Sequence, residues 1–149
     1  MRFRYKPLRA KAPVVSLGGR QERPRPIVRI TLIGPAGTRV IPAGLDSYAD
    51  DTVFPELEAV RAGIDLGNAP VGTSAGIGQA PVPVKYAQVT LRITDGKEFR
   101  EWIAWVGFTP VLSNYALLGF AGCLQFFTAT FYGDLEEVEL AVNRLYPGT

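Results

Sequence analysis

Two strand patterns that meet at Asp95-Gly96 constrain the fold most strongly. In the first run, residues 85–94, Val89, Leu91 and Ile93 alternate with Thr90, Arg92 and Thr94, and the second run covers residues 97–106. Period-two alternation is typical of a strand with one buried face. Asp-Gly between two such runs is the strongest short-range signal of a β-hairpin. The sequence therefore predicts a long hairpin in a β-rich domain.

Further strand patterns occur after residue 26. They lie at residues 26–34, 38–41, 116–119 and 128–132, and a helical turn is predicted over 121–126. The segment 134–145 fits an amphipathic helix and also a strand. The strand is favoured, because it would pair with residues 128–132.

The absence of histidine limits the chemistry of this chain. Its 149 residues are enough for one domain, and 47% of them are apolar. Without imidazole, Ser-His-Asp and Cys-His catalysis and His-containing zinc or haem sites are excluded. The single cysteine, Cys123, cannot form an all-cysteine zinc site and is expected to be a buried, inert thiol. We expect no metal and no cofactor, and catalysis would have to use carboxylates, hydroxyls, Lys, Arg or backbone groups.

Residues 1–26 form a strongly basic segment, with eight Lys and Arg against one acid, whereas residues 27–149 carry eight bases and thirteen acids. Its prolines, its Gly18-Gly19 pair and its lack of apolar periodicity predict an extended or disordered, flexible leader before a domain at 27–149. An alternative is an arm that binds nucleic acid or an anionic surface. No nucleic acid is expected to bind the acidic body. The longest apolar stretch within residues 1–26, residues 12–15, is too short for a signal peptide or a membrane span, so a cytoplasmic protein is expected.

The densest candidate chemistry lies at residues 44–55, where Asp46 and Ser47 follow an apolar strand. From these residues alone, a solvated turn is the favoured interpretation. The Gly-rich segment 67–83 is a surface loop or a functional one, and it lacks the ending of a phosphate-binding loop. Two further groups are favoured as structural. The acidic group, expected to form a solvated edge, is Asp134, Glu136, Glu137 and Glu139. The aromatic group, expected to pack in the core or at a dimer contact, is Trp102, Trp105 and Phe108.

Three motifs in order along the chain resemble those of the retropepsins, the single-domain retroviral-type aspartic proteases that also have bacterial members. They are Leu45-Asp46-Ser47-Tyr48-Ala49-Asp50-Asp51-Thr52-Val53-Phe54, the segment around Gly76-Ile77-Gly78, and Val106-Gly107-Phe108-Thr109-Pro110 followed by Ala116-Leu117-Leu118-Gly119. The resemblance covers about residues 27–131. It implies an all-β fold, a small closed β-barrel of the acid protease type, with one short helix near the C-terminal part.

The resemblance also implies an aspartic endopeptidase that is complete only as a homodimer. The motif occurs once, so each subunit would contribute its Asp46 to a catalytic pair that shares one proton. One carboxylate would activate a water molecule and the other would polarise the scissile carbonyl of a peptide or protein substrate.

Other residues take supporting roles by the same resemblance. Ser47 would hydrogen-bond across the dimer, and Leu117, Leu118 and Gly119 would support the catalytic loop. Tyr48, Ala49 and Asp50 would lie along the substrate. The tip of a flap closing over the peptide would be formed by Ala75, Gly76, Ile77, Gly78 and Gln79.

Two positions depart from the family pattern. Tyr48 replaces the glycine that follows Asp-Thr/Ser, and Phe120 replaces an arginine that is ion-paired near the acidic loop. Asp50 therefore lacks its expected partner, and the phenol of Tyr48 could fill a neighbouring pocket. The alternative function is a catalytically impaired retropepsin-like module for dimerisation or peptide binding, with Tyr48 obstructing the cleft.

Overall fold

The computed structural model describes residues 1–74 and 80–149, and within them twelve strands and one α-helix are formed. The strands are β1 (Arg2–Arg4), β2 (Lys6–Val14), β3 (Arg20–Arg25), β4 (Ile27–Gly34), β5 (Gly37–Leu45), β6 (Val53–Pro55), β7 (Val71–Ser74), β8 (Val82–Thr94), β9 (Phe99–Thr109), β10 (Ala116–Leu118), β11 (Phe127–Tyr132) and β12 (Glu137–Val142). The helix, α1 (Glu56–Ala62), follows β6 directly.

Six strands close into a barrel. Neighbours pair in the order β4, β5, β10, β6, β9 and β8, and β8 pairs back with β4, where Ile30 lies opposite Ile93 and Leu32 opposite Leu91. β7 pairs with residues 82–85 at the start of β8, and β11 and β12 form a separate sheet with β1. The all-β class and the closed barrel are confirmed.

The β8–β9 hairpin forms where the sequence predicts it. Asp95 stabilises its turn, because one carboxylate oxygen accepts hydrogen bonds from the backbone N–H groups of Lys97 and Glu98 at 3.0 and 3.1 Å. The N–H groups of Glu98 and Lys97 lower the pKa of Asp95 to about 2. The C-terminal segment is also a strand, β12, paired antiparallel with β11.

The core fills the barrel and continues to the separate sheet, because buried Phe127 of β11 and buried Val138 and Leu140 of β12 belong to the same cluster. Its largest fully buried side chains are Trp102, Phe54, Phe108, Ile30, Leu32, Leu91, Ile93, Leu118 and Leu140. Trp102 donates its indole N–H to the carbonyl of Gly122 at 2.8 Å, so its polar atom is satisfied. Trp105 lies on the opposite face of β9 and is 55% exposed. Cys123 is buried, and burial raises the pKa of its thiol to about 12.

The short helix of this fold is α1 rather than an element near the C-terminal part. The predicted helical turn over 121–126 contains the 3-10 turn Leu124–Phe126. Two features of the sequence favour α1, although they are not part of the family pattern. Glu56 and Glu58 lie in its first turn, and Gly63 follows its end with φ 72°. Ala59 and Ala62 pack into the core, which stabilises this short helix.

The sequence predicts an extended or disordered leader at residues 1–26, and the structure has three strands there. β1 pairs with β12, and β2 and β3 pair antiparallel as a two-stranded ribbon. Prolines are compatible with this ribbon because both of its strands are edges, where a missing N–H costs little. Three bases of the segment pair with the acidic edge, Arg2 and Arg4 with Glu137 and Arg20 with Glu136. In the described residues no helix is long and apolar enough to span a membrane.

Candidate active site

Asp46 lies on a tight turn at the end of β5. Its backbone N–H donates to the carbonyl of Leu118 at 3.1 Å, which ties the turn to β10. One carboxylate oxygen accepts a hydrogen bond from the N–H of Tyr48 at 3.0 Å, and the Asp46 carbonyl accepts one from Ala49. This is the turn chemistry expected of an Asp two residues before a turn N–H. The turn holds the carboxylate at a strand end rather than leaving it on a loose loop.

The strand beneath this turn inserts between two others. β10 runs parallel to β5, with Leu118 opposite Leu45, and antiparallel to β6, with Leu117 opposite Val53. After β10 the backbone continues along the acidic loop: Phe120 N–H donates to the Ala49 carbonyl at 2.9 Å and Ala121 N–H to the Asp50 carbonyl at 2.8 Å.

Gly119 occupies the tightest point of this crossing. A Cβ placed there would lie 2.7 Å from the carbonyl oxygen of Ala49 and closer still to that of Asp51. Because both obstacles are backbone atoms, a side chain at this position would require the loop itself to move. The backbone at Leu118 and Gly119 therefore lies against the loop of residues 46–51, and Leu117 pairs with Gly44 and Val53.

Asp46 lines a groove of about 880 Å³, here called the large groove. Its described lining comprises Asp46, Ser47, Tyr48, Ala49, Asp50, Asp51, Val53, Thr73, Ser74, Ala80, Val82, Val84, Thr109, Val111, Leu112 and Leu117. Three carboxylates and no Lys or Arg occur in this set, and most of the remaining wall is aliphatic. A concave, mostly apolar surface with a few converging polar groups is typical of a ligand site.

A second, smaller groove of about 490 Å³ lies on the other side of the Asp46 turn. Its lining is Leu8, Arg25, Pro26, Ile27, Gly44, Leu45, Asp46, Leu112, Tyr115, Ala116 and Leu117. The two grooves share Asp46, Leu112 and Leu117. Asp46 therefore lies where the two concave surfaces meet.

Some of the remaining predicted site residues lie outside the described part of the chain, and others are exposed. Ala75–Gln79 lie outside the described residues, but the residues on either side, Ser74 and Ala80, line the large groove. Ser47 and Asp50 are exposed, and within the described chain the Asp50 carboxylate forms no ion pair. Tyr48 is 81% exposed, so its ring stands out from the turn rather than packing into the barrel.

Tyr86 joins the site through a contact that the sequence did not predict. Its hydroxyl on β8 donates to a carboxylate oxygen of Asp51 at 2.7 Å. Burial, and then the contact with Asp51, raises the pKa of Tyr86 to about 12. The ring also fills the space beside Gly72, where a Cβ would lie 2.8 Å from it. The Tyr86 side chain therefore links Asp51 to β8 by a hydrogen bond and packs β8 against β7.

We expect the Tyr86→Phe variant to lose about 1 kcal/mol of unfolding free energy at pH 7, the typical net value of one such bond at a partly exposed site. The folded-state pKa of Tyr86 lies above its ordinary value of about 10. Its contribution is therefore complete below about pH 10 and is lost as the pH rises through the folded-state value. Urea unfolding between about pH 8 and pH 11 should show a steeper loss in the wild type than in the variant. Tyr115→Phe, at a phenol with no hydrogen bond in the described chain, is the control, and equal effects of both variants would contradict the assignment.

No group of three or more His, Cys, Asp or Glu side chains that could hold a metal ion occurs in residues 1–74 and 80–149. The described lining of the large groove supplies carboxylates and hydroxyls.

The chain is similar in structure to the retroviral protease-like domain of Ddi1 from Leishmania major. The TM-score is 0.50 at 13% sequence identity, and the match covers 84% of this chain and 94% of that one. No family model and no curated protein matches the sequence. At this identity the likeness establishes the fold, and the chain has a retropepsin-like fold.

Proposed function

We propose that this protein is an aspartic endopeptidase of the retropepsin type that acts as a homodimer. The observation that carries the proposal is the position of Asp46, whose carboxylate lies on a backbone-tied turn at the meeting of two grooves. The retropepsin-like fold supports the same conclusion.

A single carboxylate is insufficient for this chemistry, because one group must accept a proton while another donates one. Two Asp46 side chains brought together by a two-fold axis supply both groups from one gene product. Their like charges cannot both ionise at close range, so the pair holds one shared proton. The ionised carboxylate then deprotonates a water molecule, and the protonated one donates a hydrogen bond to the scissile carbonyl.

The large groove suits an extended peptide. Its aliphatic wall, which includes Val53, Val82, Val84 and Val111, would bury apolar substrate side chains. In the proposed complex the backbone around Ala49 and Asp50 lies along the peptide, and residues 75–79 close over it. Ser47 takes the proposed role of a hydrogen-bond partner across the dimer.

A second candidate function follows from Tyr48. This phenol lines the large groove and is 81% exposed, next to the proposed catalytic carboxylate. In this alternative the ring obstructs the peptide path, and the protein is a non-catalytic module that dimerises or binds peptides.

Cleavage of a mixed peptide pool between about pH 3 and pH 7, the range that brackets titration of such a pair, tests the proposal. We expect the wild type to cleave, with specific activity that falls on dilution because the dimer dissociates. Tyr48→Gly should also cleave. Cleavage by Tyr48→Gly alone would favour the obstructed module instead. Phe131→Gly, at an exposed aromatic outside both groove linings, controls for nonspecific effects of removing a ring. Absence of cleavage by the wild type and by Tyr48→Gly would reject the enzyme.

A further inference from the structure

We propose that the ribbon formed by β2 and β3, residues 6–25, binds double-stranded nucleic acid through its phosphates. The ribbon carries six bases, Lys6, Arg9, Lys11, Arg20, Arg23 and Arg25, against one acid, Glu22. All six bases are exposed. The two strands pair with each other and with no other strand of the described chain. On the face shared by Lys6, Leu8, Arg23 and Arg25, Leu8 and Arg25 also line the smaller groove.

Most of these cations lack an anionic partner within the chain. In the described residues Arg20 is the one ribbon base in an ion pair, with Glu136 at 2.5 Å. Residues 75–79 contain no acid and can supply no other. Five bases therefore remain free for an external ligand.

The strand register concentrates three of these free cations on one face. Lys6 lies opposite Arg25, and Arg23 lies opposite Leu8, two positions further along. Residues that face each other across a strand pair, and those two apart on a strand, project on the same side. Like charges directly opposite each other destabilise a strand pair. An anion bound across this face would relieve that repulsion.

The net negative charge of residues 27–149 favours binding of a polyanion at the ribbon rather than on the body of the domain. Residues 27–149 carry thirteen acids and eight bases. The large groove also presents three carboxylates. Phosphates would be repelled from the body and attracted to the ribbon, a separation that favours binding by one arm of the molecule.

The shape and composition of the ribbon favour a duplex over other polyanions. A two-stranded ribbon fits the major groove, whose two walls are phosphate backbones. Bases on both faces can then be used, since Arg9 projects on the side opposite Lys6. Residues 6–25 contain no aromatic side chain on which single-stranded bases could stack. Exposed apolar side chains in the turn at the tip are limited to Val15 and Leu17, too few for a membrane anchor.

The test is fluorescence anisotropy of a labelled 20-base-pair duplex of mixed sequence titrated with the full chain. Three to five phosphate contacts at a slope of about 0.9 each predict that affinity falls roughly 40- to 500-fold between 50 and 200 mM salt. Lys6→Glu combined with Arg23→Glu should weaken binding at least about tenfold and lower the salt slope by about two units. Arg29→Glu combined with Arg144→Glu makes the same change of net charge at exposed residues off the ribbon and should leave most of the affinity.

The measurement does not depend on peptidase activity, so its failure is distinct from failure of the proposed function. Lys6→Gln combined with Arg23→Gln adds no new charge and gives the same reading if the glutamate variant unfolds, as monitored by circular dichroism. The proposal is rejected by absence of duplex binding at 50 mM salt or by equal weakening in both pairs of variants. Tighter binding to a single strand of the same length, or binding to phosphatidylserine vesicles in place of the duplex, would also reject it.

Discussion

The Asp46→Asn variant is expected to cleave peptides about 10²- to 10⁴-fold more slowly than the wild type, the contribution typical of a positioned general acid or base. The variant replaces both carboxylates of the shared pair by amides, which cannot take up or release the proton, so the chemical step is slowed. The fold should survive, because an Asn side-chain oxygen can still accept the hydrogen bond from the N–H of Tyr48. The measurement is kcat/KM on one peptide, with urea unfolding to verify stability.

Asp65 offers a matched control for this substitution. Its carboxylate accepts a hydrogen bond from the N–H of Gly67 at 2.8 Å, the same two-residue turn contact that Asp46 makes, but Asp65 lines neither groove. Asp65→Asn should therefore retain wild-type cleavage. Equal kcat/KM in the wild type and Asp46→Asn would show that the catalytic carboxylate lies elsewhere.

Gly119→Ala is expected to lower the unfolding free energy by about 3 kcal/mol, the upper end of the usual cost of overpacking. The added methyl group would meet the backbone carbonyls of Ala49 and Asp51. These atoms cannot retreat freely, because the Ala49 carbonyl already accepts the N–H of Phe120 at 2.9 Å. The variant should also lose peptidase activity, since the displaced segment adjoins the Asp46 turn.

Gly133→Ala is the control for the change of glycine to alanine. A Cβ at Gly133 meets no atom within 4 Å, and its φ lies outside the range that strains an L-residue. Its effect should stay within about 0.5 kcal/mol, as for most surface substitutions. Urea unfolding of both variants gives the comparison, and similar losses would show that Gly119 is not under steric constraint.

Local signals predicted much of this molecule. The Asp95-Gly96 turn, the alternation of β8 and the position of Asp46 after a strand depend on neighbouring residues, and each element forms where those neighbours indicate. Contacts between distant residues were not predicted. Residues 1–26 show no apolar periodicity, yet β1 pairs with β12, more than a hundred residues away.

The contacts that build the candidate site are of this long-range kind. No pattern in the chain indicates that the hydroxyl of Tyr86 reaches Asp51, or that the backbone at Gly119 meets the loop at Ala49. Family motifs located Asp46, Leu117, Leu118 and Gly119, but the distances among them follow from closure of the barrel.

Period, turn chemistry and composition were enough to specify an all-β chain, to remove imidazole chemistry and to place one carboxylate on a turn at a strand end. Folding added what those local properties do not contain: the insertion of β10 between β5 and β6, the two grooves that meet at Asp46, and the pairing of β1 with β12. The reason is that hydrogen bonding and packing between distant segments depend on how the whole sheet closes, whereas turn and strand preferences are set within a few residues.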